Sequence, residues 1–432
     1  MKKKWLVTLL AAGCIAMLAG CQGNKNGAEP TGAPAEETPV PTEEATAAPE
    51  PTRVVLPART DYLTEEDMQA ASPWQSCDNT ALAAAMKKAE AGEPITIAAI
   101  GGSITQGTIS SGAKDNQLKT KNCYAEIFFS WWRETFPNSK VTVVNAGIGA
   151  TDSYLGVHRV QEDVLDYHPD VVLIEFSVND AATNTYKTTY DNLVYKVASS
   201  EDAPAVMLLF MGQTNLSSAQ NQHQLVGFQY GVPMISYLNL ISDFFEAGHY
   251  TEKELSGDVT HPSALGHAMV GEMLWKYLNN VYAELDSYGE PAAFDKKIFT
   301  KAKYLDAELA GVGDVTPSAL GSFTENGKDF NGWGDVWKTT DGNGEITFTV
   351  NCRNLGILFW RSTSSDYGMY EVWVDGEHKA NLQGDFTGGW GSYAQSQEIF
   401  TSDTAAEHTI TIKKAEGSAG DDFVLLRLLL SH

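Results

Sequence analysis

Short apolar runs alternate with amphipathic stretches from about residue 61 to residue 284. The apolar runs are rich in Val, Ile and Leu and short enough to be strands: residues 95–100, 141–145, 171–176, 206–211 and 233–237. The stretches between them have helical periodicity, as in residues 124–136, 153–167 and 186–199. Strands that are apolar throughout and separated by helices indicate a parallel sheet covered by helices on both faces. In such sheets ligands bind at the carboxyl ends of the strands.

The pattern changes after residue 284, and residues 285–432 are predicted to form a connector followed by a β-sandwich. Ile346, Phe348 and Val350 alternate with polar residues, and helical periodicity largely disappears. The dipeptide Asp375-Gly376 is a strong hairpin signal. The sequence therefore predicts an α/β domain over residues 61–284 and an all-β accessory domain behind it.

The first 21 residues have the organisation of a bacterial secretion signal. Three lysines and an apolar core of residues 5–17 precede Leu18-Ala19-Gly20-Cys21. Small residues directly before Cys21 resemble the lipobox, in which the cysteine is lipidated and becomes the mature N-terminus. A transmembrane helix is the alternative, but the apolar run is shorter than the ~20 residues that span a bilayer. We therefore expect a protein of the bacterial cell envelope, lipid-anchored to a membrane and facing outside the cytoplasm.

Residues 22–60 contain no aromatic residue and are dominated by Ala, Pro, Thr and Glu. Such a composition buries too little apolar surface to fold, so this segment is predicted to be a disordered tether. The formal charge of −25 repels nucleic acid and anionic lipid headgroups, whereas a neutral substrate such as an esterified sugar meets no such barrier. Cys77, Cys123 and Cys352 are too widely separated to have metal-ligand spacing, and we expect no metal or organic cofactor.

Two Gly-rich segments follow the first two predicted strands. Gly101-Gly102-Ser103 allows a tight turn that lifts the serine hydroxyl out of the sheet. An ordinary turn is the alternative, and a phosphate-binding loop is disfavoured because no Lys follows. The second segment, residues 145–151, fails as a dinucleotide fingerprint because Asp152 replaces the third glycine. It either offers a backbone N–H to an anion or forms a simple turn.

Two further segments carry polar side chains. Asn179 follows the third strand, where its amide suits an oxyanion donor; a helix cap is the alternative. Asp258 and His261 are three residues apart, close enough for both to come from one loop. A carboxylate at one ring nitrogen of a histidine fixes its tautomer, so that the other nitrogen takes a proton from a serine.

In this order and spacing, the four segments resemble the SGNH/GDSL hydrolase superfamily over about residues 95–280. The resemblance implies a flavodoxin-like sheet, with Ser103 as the nucleophile, His261 as the base and Asp258 as the residue that orients it. It also implies an oxyanion hole formed by the N–H groups of Ser103 and Gly149 and the side chain of Asn179.

The sequence departs from the family pattern at three positions. Gly102 stands where the family has Asp, and Ser177 stands where it has Gly. Neither change removes a reacting group. An ungapped match also puts Ala150, rather than Gly149, at the oxyanion position, and Ala is favoured there only if φ is negative. We assign the donor to Gly149.

The C-terminal segment resembles the jelly-roll domain found beside SGNH domains in carbohydrate esterases. The matching stretches are residues 370–376 and 407–412. Trp333, Trp337 and Trp390 lie in or near Gly-rich stretches, where they either stack on sugar rings or belong to the sandwich core.

We therefore expect a serine esterase that removes O-acetyl groups from a polysaccharide or oligosaccharide outside the cell. A lipase, phospholipase or thioesterase on the same scaffold is one alternative. A non-catalytic carbohydrate-binding lipoprotein is another, although the complete set of Ser, Asn, Asp and His counts against it.

Overall fold

The structure is a computed structural model that describes residues 53, 55–74, 76–109, 122–387 and 391–432. All of them lie in the second of the two units into which the chain divides, Met1–Thr52 and Arg53–His432. The predicted signal peptide, Cys21 and most of the predicted tether lie outside the described residues. No described helix is long and apolar enough to cross a membrane.

The described residues form ten α-helices and thirteen strands. The helices are α1 Glu65–Ala71, α2 Thr80–Glu90, α3 Ser103–Gln106, α4 Tyr124–Thr135, α5 Ser153–Asp163, α6 Asn184–Ala198, α7 Gln220–Tyr230, α8 Tyr237–Ala247, α9 Glu252–Leu255 and α10 Ala264–Ala283. The strands are β1 Ile95–Gly101, β2 Val141–Gly147, β3 Val171–Glu175, β4 Ala205–Phe210, β5 Met234–Ser236, β6 Glu308–Ala310, β7 Thr324–Glu325, β8 Trp337–Thr339, β9 Glu345–Arg361, β10 Met369–Val374, β11 Glu377–Gln383, β12 Tyr393–Lys414 and β13 Phe423–Ser431. Single 3₁₀ turns follow α5 and α10.

The first five strands form a parallel sheet in the order β2-β1-β3-β4-β5. This is the flavodoxin-like order, which confirms the predicted α/β architecture. The register puts Gly101 of β1 opposite both Gly147 of β2 and Glu175 of β3. The three segments that follow these strands therefore begin side by side at the carboxyl edge of the sheet.

Successive residues of each parallel strand face opposite sides of the sheet. Ile97 and Ala99 pack into a core with α2, α4, α8 and α10, whereas Ala98 and Ile100 pack into a second core with α5, α6 and α7. Both sides of the strands are thus covered, which is why their sequences are apolar at consecutive positions.

The C-terminal strands form an antiparallel sheet in the order β11-β10-β12-β9-β13-β8-β7, with β6 also paired to β13. Register shifts interrupt β12 between residues 398 and 406. Side chains from both halves of the long strand β9 pack into one core. The two halves of the sheet therefore face each other across this core, as predicted for a sandwich. Asp375 and Gly376, with φ of 53° and 81°, form the predicted hairpin turn between β10 and β11.

The core on the α5 side of the parallel sheet continues into the sandwich. Tyr154 and Val157 of α5 belong to the same buried cluster as Leu358 of β9 and Leu426 and Leu429 of β13. The two regions therefore share apolar surface that would be exposed to water if they separated.

The tryptophans of the sandwich have different environments. Trp337 is fully buried in the sandwich core, and Trp333 is half-buried against the core that continues from α5. Trp337 therefore does not stack on sugars, and Trp390 lies outside the described residues.

The last residues before α1 lie against the folded body. The Leu56 carbonyl accepts hydrogen bonds from Trp275 and Asn279 of α10, at 3.1 and 2.8 Å. Arg53 pairs with Glu90 and Asp286. Arg53 and Leu56, near the end of the segment predicted as a tether, thus make specific contacts with the α/β region.

Candidate active site

The Ser103 side chain begins the short helix α3 directly after β1. Gly102, between strand and helix, has no room for a side chain, because an added Cβ would collide with the carboxamide oxygen of Asn179. Glycine at this position, where the family has Asp, therefore lets the Asn179 side chain lie against the turn that carries the serine. The Ser103 side chain remains partly exposed.

Ser103, His261 and Asp258 form a hydrogen-bonded relay. The Ser103 Oγ lies 2.9 Å from His261 Nε2, and His261 Nδ1 lies 3.2 Å from Asp258 Oδ2. A carboxylate facing Nδ1 favours the tautomer with the proton on that nitrogen, so Nε2 is left to accept from the serine hydroxyl. The predicted nucleophile, base and orienting acid are thus brought together in the geometry that nucleophilic catalysis needs.

The Asp258 carboxylate also shapes the loop that carries His261. Its Oδ1 accepts the main-chain N–H groups of Thr260 and His261 at 2.8 and 2.7 Å. The Ser256 hydroxyl donates to the main-chain carbonyls of Asp258 and His261. One carboxylate therefore holds both the backbone and the ring of the histidine.

Asn179 lies in the turn after β3, with its N–H donating to the Phe176 carbonyl at 3.1 Å. The same carbonyl accepts from the N–H of Asp180 at 3.0 Å. Because the Asn179 carboxamide lies against Gly102, the structure places it beside the serine turn, and its role as an oxyanion donor stays a prediction.

The loop after β2 brings Gly149 towards the serine. A Cβ added at Gly149 would lie 3.9 Å from the Cβ of Ser103 and 3.2 Å from Oε1 of Gln106. The next residue, Ala150, has a φ of 60°, in the left-handed region that favours glycine. The backbone strain thus falls on the residue that an ungapped match aligns with the family glycine, while the neighbouring Gly149 faces Ser103.

Two buried carboxyl groups lie under these turns, and sequence reasoning missed both as site residues. Burial raises the pKa of Glu175, whose Oε1 accepts the Ser177 main-chain N–H at 3.0 Å, to about 7. Burial raises the pKa of Asp180 to about 8; its carboxylate accepts the Ser153 N–H at 2.9 Å and faces His223 Nε2 at 3.0 Å. The only sequence signal was a charged residue at the end of the apolar strand, Glu175, and another in the turn after it, Asp180.

The Ser177 hydroxyl explains a departure from the family pattern. It accepts the Met211 N–H at 2.7 Å and donates to the Met211 carbonyl, 3.0 Å away. Serine at this position therefore ties the end of β3 to the end of β4, a connection that the family glycine cannot make.

Metal binding has no support in the part of the chain that the structure describes. No group of three or more His, Cys, Asp or Glu side chains there is arranged to hold an ion. Cys77, Cys123 and Cys352 carry free thiols.

The chain is similar to known esterases both in sequence and in structure. Residues 99–269 match the model of the GDSL-like Lipase/Acylhydrolase family. A solved two-domain esterase (CEX) active on acetylated mannans is 30% identical with a TM-score of 0.76, covering 84% of this chain and 99% of its own. The same kind of esterase co-crystallised with mannopentaose is 29% identical with a TM-score of 0.74, covering 84% of this chain and 98% of its own.

Among curated protein sequences, none matches this chain. The family match and the 30% identity to a two-domain esterase nevertheless confirm the resemblance drawn from the four sequence segments and the sandwich. The chain belongs to the GDSL-like lipase/acylhydrolase family and is a serine hydrolase that acts on carboxylic ester bonds.

Proposed function

We propose that the chain is an O-acetylesterase that deacetylates a polysaccharide or oligosaccharide outside the cytoplasm, with an acetylated mannan as its first candidate substrate. The observation that carries the proposal is the relay Ser103–His261–Asp258 beside Asn179, in a chain similar over 84% of its length to an esterase active on acetylated mannans. The reaction needs no metal or organic cofactor.

In the proposed reaction, Ser103 Oγ attacks the acetyl carbonyl carbon while His261 Nε2 takes the hydroxyl proton. The tetrahedral oxyanion is held by the N–H groups of Ser103 and Gly149 and by the Asn179 amide. His261 then donates the proton to the departing sugar alkoxide, leaving an acetyl-serine. Water, deprotonated by His261, releases acetate and restores the serine.

A cleft whose lining includes groups that bind sugar hydroxyls lies between the α/β region and β12. It has a volume of about 440 Å³ and is lined by polar side chains, among them Asp152, Tyr186 and Glu398, and also by Tyr154 and Ile399. Hydroxyl, amide and carboxylate groups suit hydrogen bonds to sugar hydroxyls, whereas a long acyl chain needs an apolar groove. The similarity to an esterase active on acetylated mannans favours a sugar ester over the lipase and phospholipase alternatives.

The cellular location rests on the N-terminal sequence. The lipobox-like Leu18-Ala19-Gly20-Cys21 and the tether-like composition of residues 22–52 support an envelope lipoprotein. Membrane attachment through acyl chains would hold the enzyme near polymers outside the cell without any attraction between its acidic body and anionic headgroups.

Acetate release tests the activity and the substrate class together. The protein, lacking residues 1–21, is incubated with acetylated mannan, acetylated xylan and a p-nitrophenyl ester of a long-chain acid, each beside the Ser103→Ala variant. We expect acetate from an acetylated polysaccharide, little long-chain hydrolysis, and no turnover by the variant. Faster hydrolysis of the long-chain ester would overturn the substrate class. Retention of more than a tenth of wild-type turnover by pure Ser103→Ala would overturn the assignment of the nucleophile.

A further inference from the structure

Arg159 in the middle of α5 is a buried cation that the relay and the proposed oxyanion donors do not use. Of the lysines and arginines that the structure describes, it is the only fully buried one. Its Nη1 donates to the Ala146 carbonyl at 2.7 Å and to Asp163 Oδ2 at 2.8 Å, and its Nη2 donates to the Gly101 carbonyl at 3.0 Å. Its Nε has no partner among the described residues.

The two carbonyls that Arg159 contacts mark the starts of the first two site loops. Gly101 ends β1, two residues before the nucleophile Ser103, and Ala146 lies in β2, three residues before Gly149. The Gly101 carbonyl also accepts the N–H of Ile148 at 3.1 Å. A single guanidinium therefore joins the turn of the nucleophile to the loop that supplies the second oxyanion donor.

The third site loop is also in reach of this cation. The guanidinium carbon lies 6.0 Å from the centre of the Phe176 ring, a distance at which a cation is attracted to the face of an aromatic ring. The Phe176 carbonyl in turn accepts the main-chain N–H of Asn179. Arg159 thus contacts residues of all three segments from which the oxyanion donors come.

Packing alone does not account for an arginine at this position. A helix residue between two apolar layers is satisfied by Leu or Met, and a buried cation carries a desolvation cost that only good pairing offsets. The single carboxylate partner, Asp163, keeps 31% of its side chain exposed, so solvent weakens its compensation. The remaining partners are neutral carbonyls, and both belong to strand ends that lead into the site.

We propose that Arg159 is a positioning residue for the oxyanion hole, which fixes the serine turn and the Gly149 loop relative to each other and sets a permanent positive charge behind them. The inference rests on the proposed function, since it assumes that these turns supply the oxyanion donors. A fixed charge and fixed donors stabilise the negative charge that develops in the transition state more than they stabilise the neutral ester.

The substitutions Arg159→Met and Arg159→Lys test this role. Methionine fills much of the space without charge or donors, and lysine keeps the charge but reaches only part of the carbonyl pair. Initial rates with p-nitrophenyl acetate should show kcat lowered roughly 10- to 100-fold in Arg159→Met, less than the 10²–10³ typical for losing an oxyanion donor itself. The KM should stay within about threefold, and Arg159→Lys should recover part of the lost kcat.

Arg427 provides the matched control. It is a half-buried arginine of β13 that donates to main-chain carbonyls, including that of Asp335 at 3.0 Å, on the sandwich side of the molecule. Arg427→Met should lower the urea midpoint of unfolding but leave kcat unchanged.

The outcomes separate the two proposals. Unchanged kcat in folded Arg159→Met, beside an inactive Ser103→Ala, would overturn the role of Arg159 and leave the esterase site standing. Activity in Ser103→Ala would overturn the site itself. If Arg159→Met does not fold, Arg159→Lys decides: a lowered kcat with constant KM and a wild-type unfolding midpoint supports positioning, whereas a lowered midpoint with wild-type kcat refutes it.

Discussion

The Asp258 carboxylate binds both the loop backbone and the ring of His261, and substitution by asparagine affects only the contact with the ring. In Asp258→Asn, the amide oxygen keeps the place of Oδ1 and its bonds to the two main-chain N–H groups, so the loop is preserved. The new NH₂ group then faces His261 Nδ1, where it favours the tautomer that carries its proton on Nε2. That tautomer has no lone pair to take the proton from Ser103.

The expected loss of kcat in Asp258→Asn follows from the size of this tautomer effect in other serine hydrolases. The corresponding substitution in serine proteases lowers kcat about 10⁴-fold, which is about 5 kcal/mol at 1.36 kcal/mol per decade. Here the 3.2 Å contact is longer than the 2.7–2.9 Å usual for charge-assisted hydrogen bonds, and 29% of the Asp258 side chain is exposed. Such contacts tighten when substrate binds. We therefore expect a loss of roughly 10³–10⁴-fold.

Steady-state rates with p-nitrophenyl acetate, combined with urea unfolding, measure both functions of the carboxylate. Asp258→Ala should lose as much kcat and also more stability, because it removes the main-chain bonds as well. Ser256→Ala is the matched control, since it loosens the same loop without altering the tautomer, and its kcat should fall less than tenfold. A loss under tenfold in Asp258→Asn would refute the reasoning and leave Ser103 and His261 as a dyad.

Four further expectations concern separate parts of the molecule. Asn179→Ala should lower kcat by roughly 10²–10³ with little change in KM, and a raised KM with constant kcat would instead indicate a ground-state contact. Gly149→Ala should lower kcat because the added Cβ lies close to the Ser103 side chain. Ala150→Gly should keep kcat and raise the free energy of unfolding by up to about 1 kcal/mol, because glycine relieves the strain of the left-handed backbone at this position. Burial raises the pKa of Glu175 from 4.5 to about 7, so between these pH values the folded state binds a proton that the unfolded chain releases. The free energy of unfolding of the wild type, relative to Glu175→Gln, should therefore fall as pH rises through this range, by at most about 1.4 kcal/mol per pH unit. Urea titrations at several pH values measure this difference. Wild-type protein should fractionate with membranes and resist salt washing, while Cys21→Ser should accumulate uncleaved or appear in the soluble extracytoplasmic fraction; full-length mature wild type free in the medium would contradict the anchor.

Local pattern was sufficient to predict most elements of the α/β region. Strands β1 to β5 lie within one or two residues of the apolar runs, because a strand covered on both faces must be apolar at consecutive positions. The predicted helix at residues 153–167 instead ends at Asp163 and continues as a 3₁₀ turn. Its apolar periodicity continues through both, so the pattern alone did not mark the break.

The residues of the relay were also predictable, because the patterns that identify them consist of residues close together in the sequence. A serine after two glycines at a strand end, and an Asp three residues before a His, need no long-range information. The donor in the second loop was harder. Its assignment depends on φ at Ala150, which is set by how the loop packs rather than by its composition.

The sequence by itself determined the element types, the order of the site segments and the identity of the relay side chains, since each depends on residues close together in the chain. Only the tertiary structure decided that Gly101, Gly147 and Glu175 stand side by side, because strand register is a pairing between distant segments. It also decided that α5 contributes Tyr154 to a core shared with the sandwich and Arg159 to the turns of the site. The helical period of α5 does not show whether its arginine is buried or exposed. Only the hydrogen-bond partners that the fold brings to Arg159 show that this charge lies inside the protein and not on its surface.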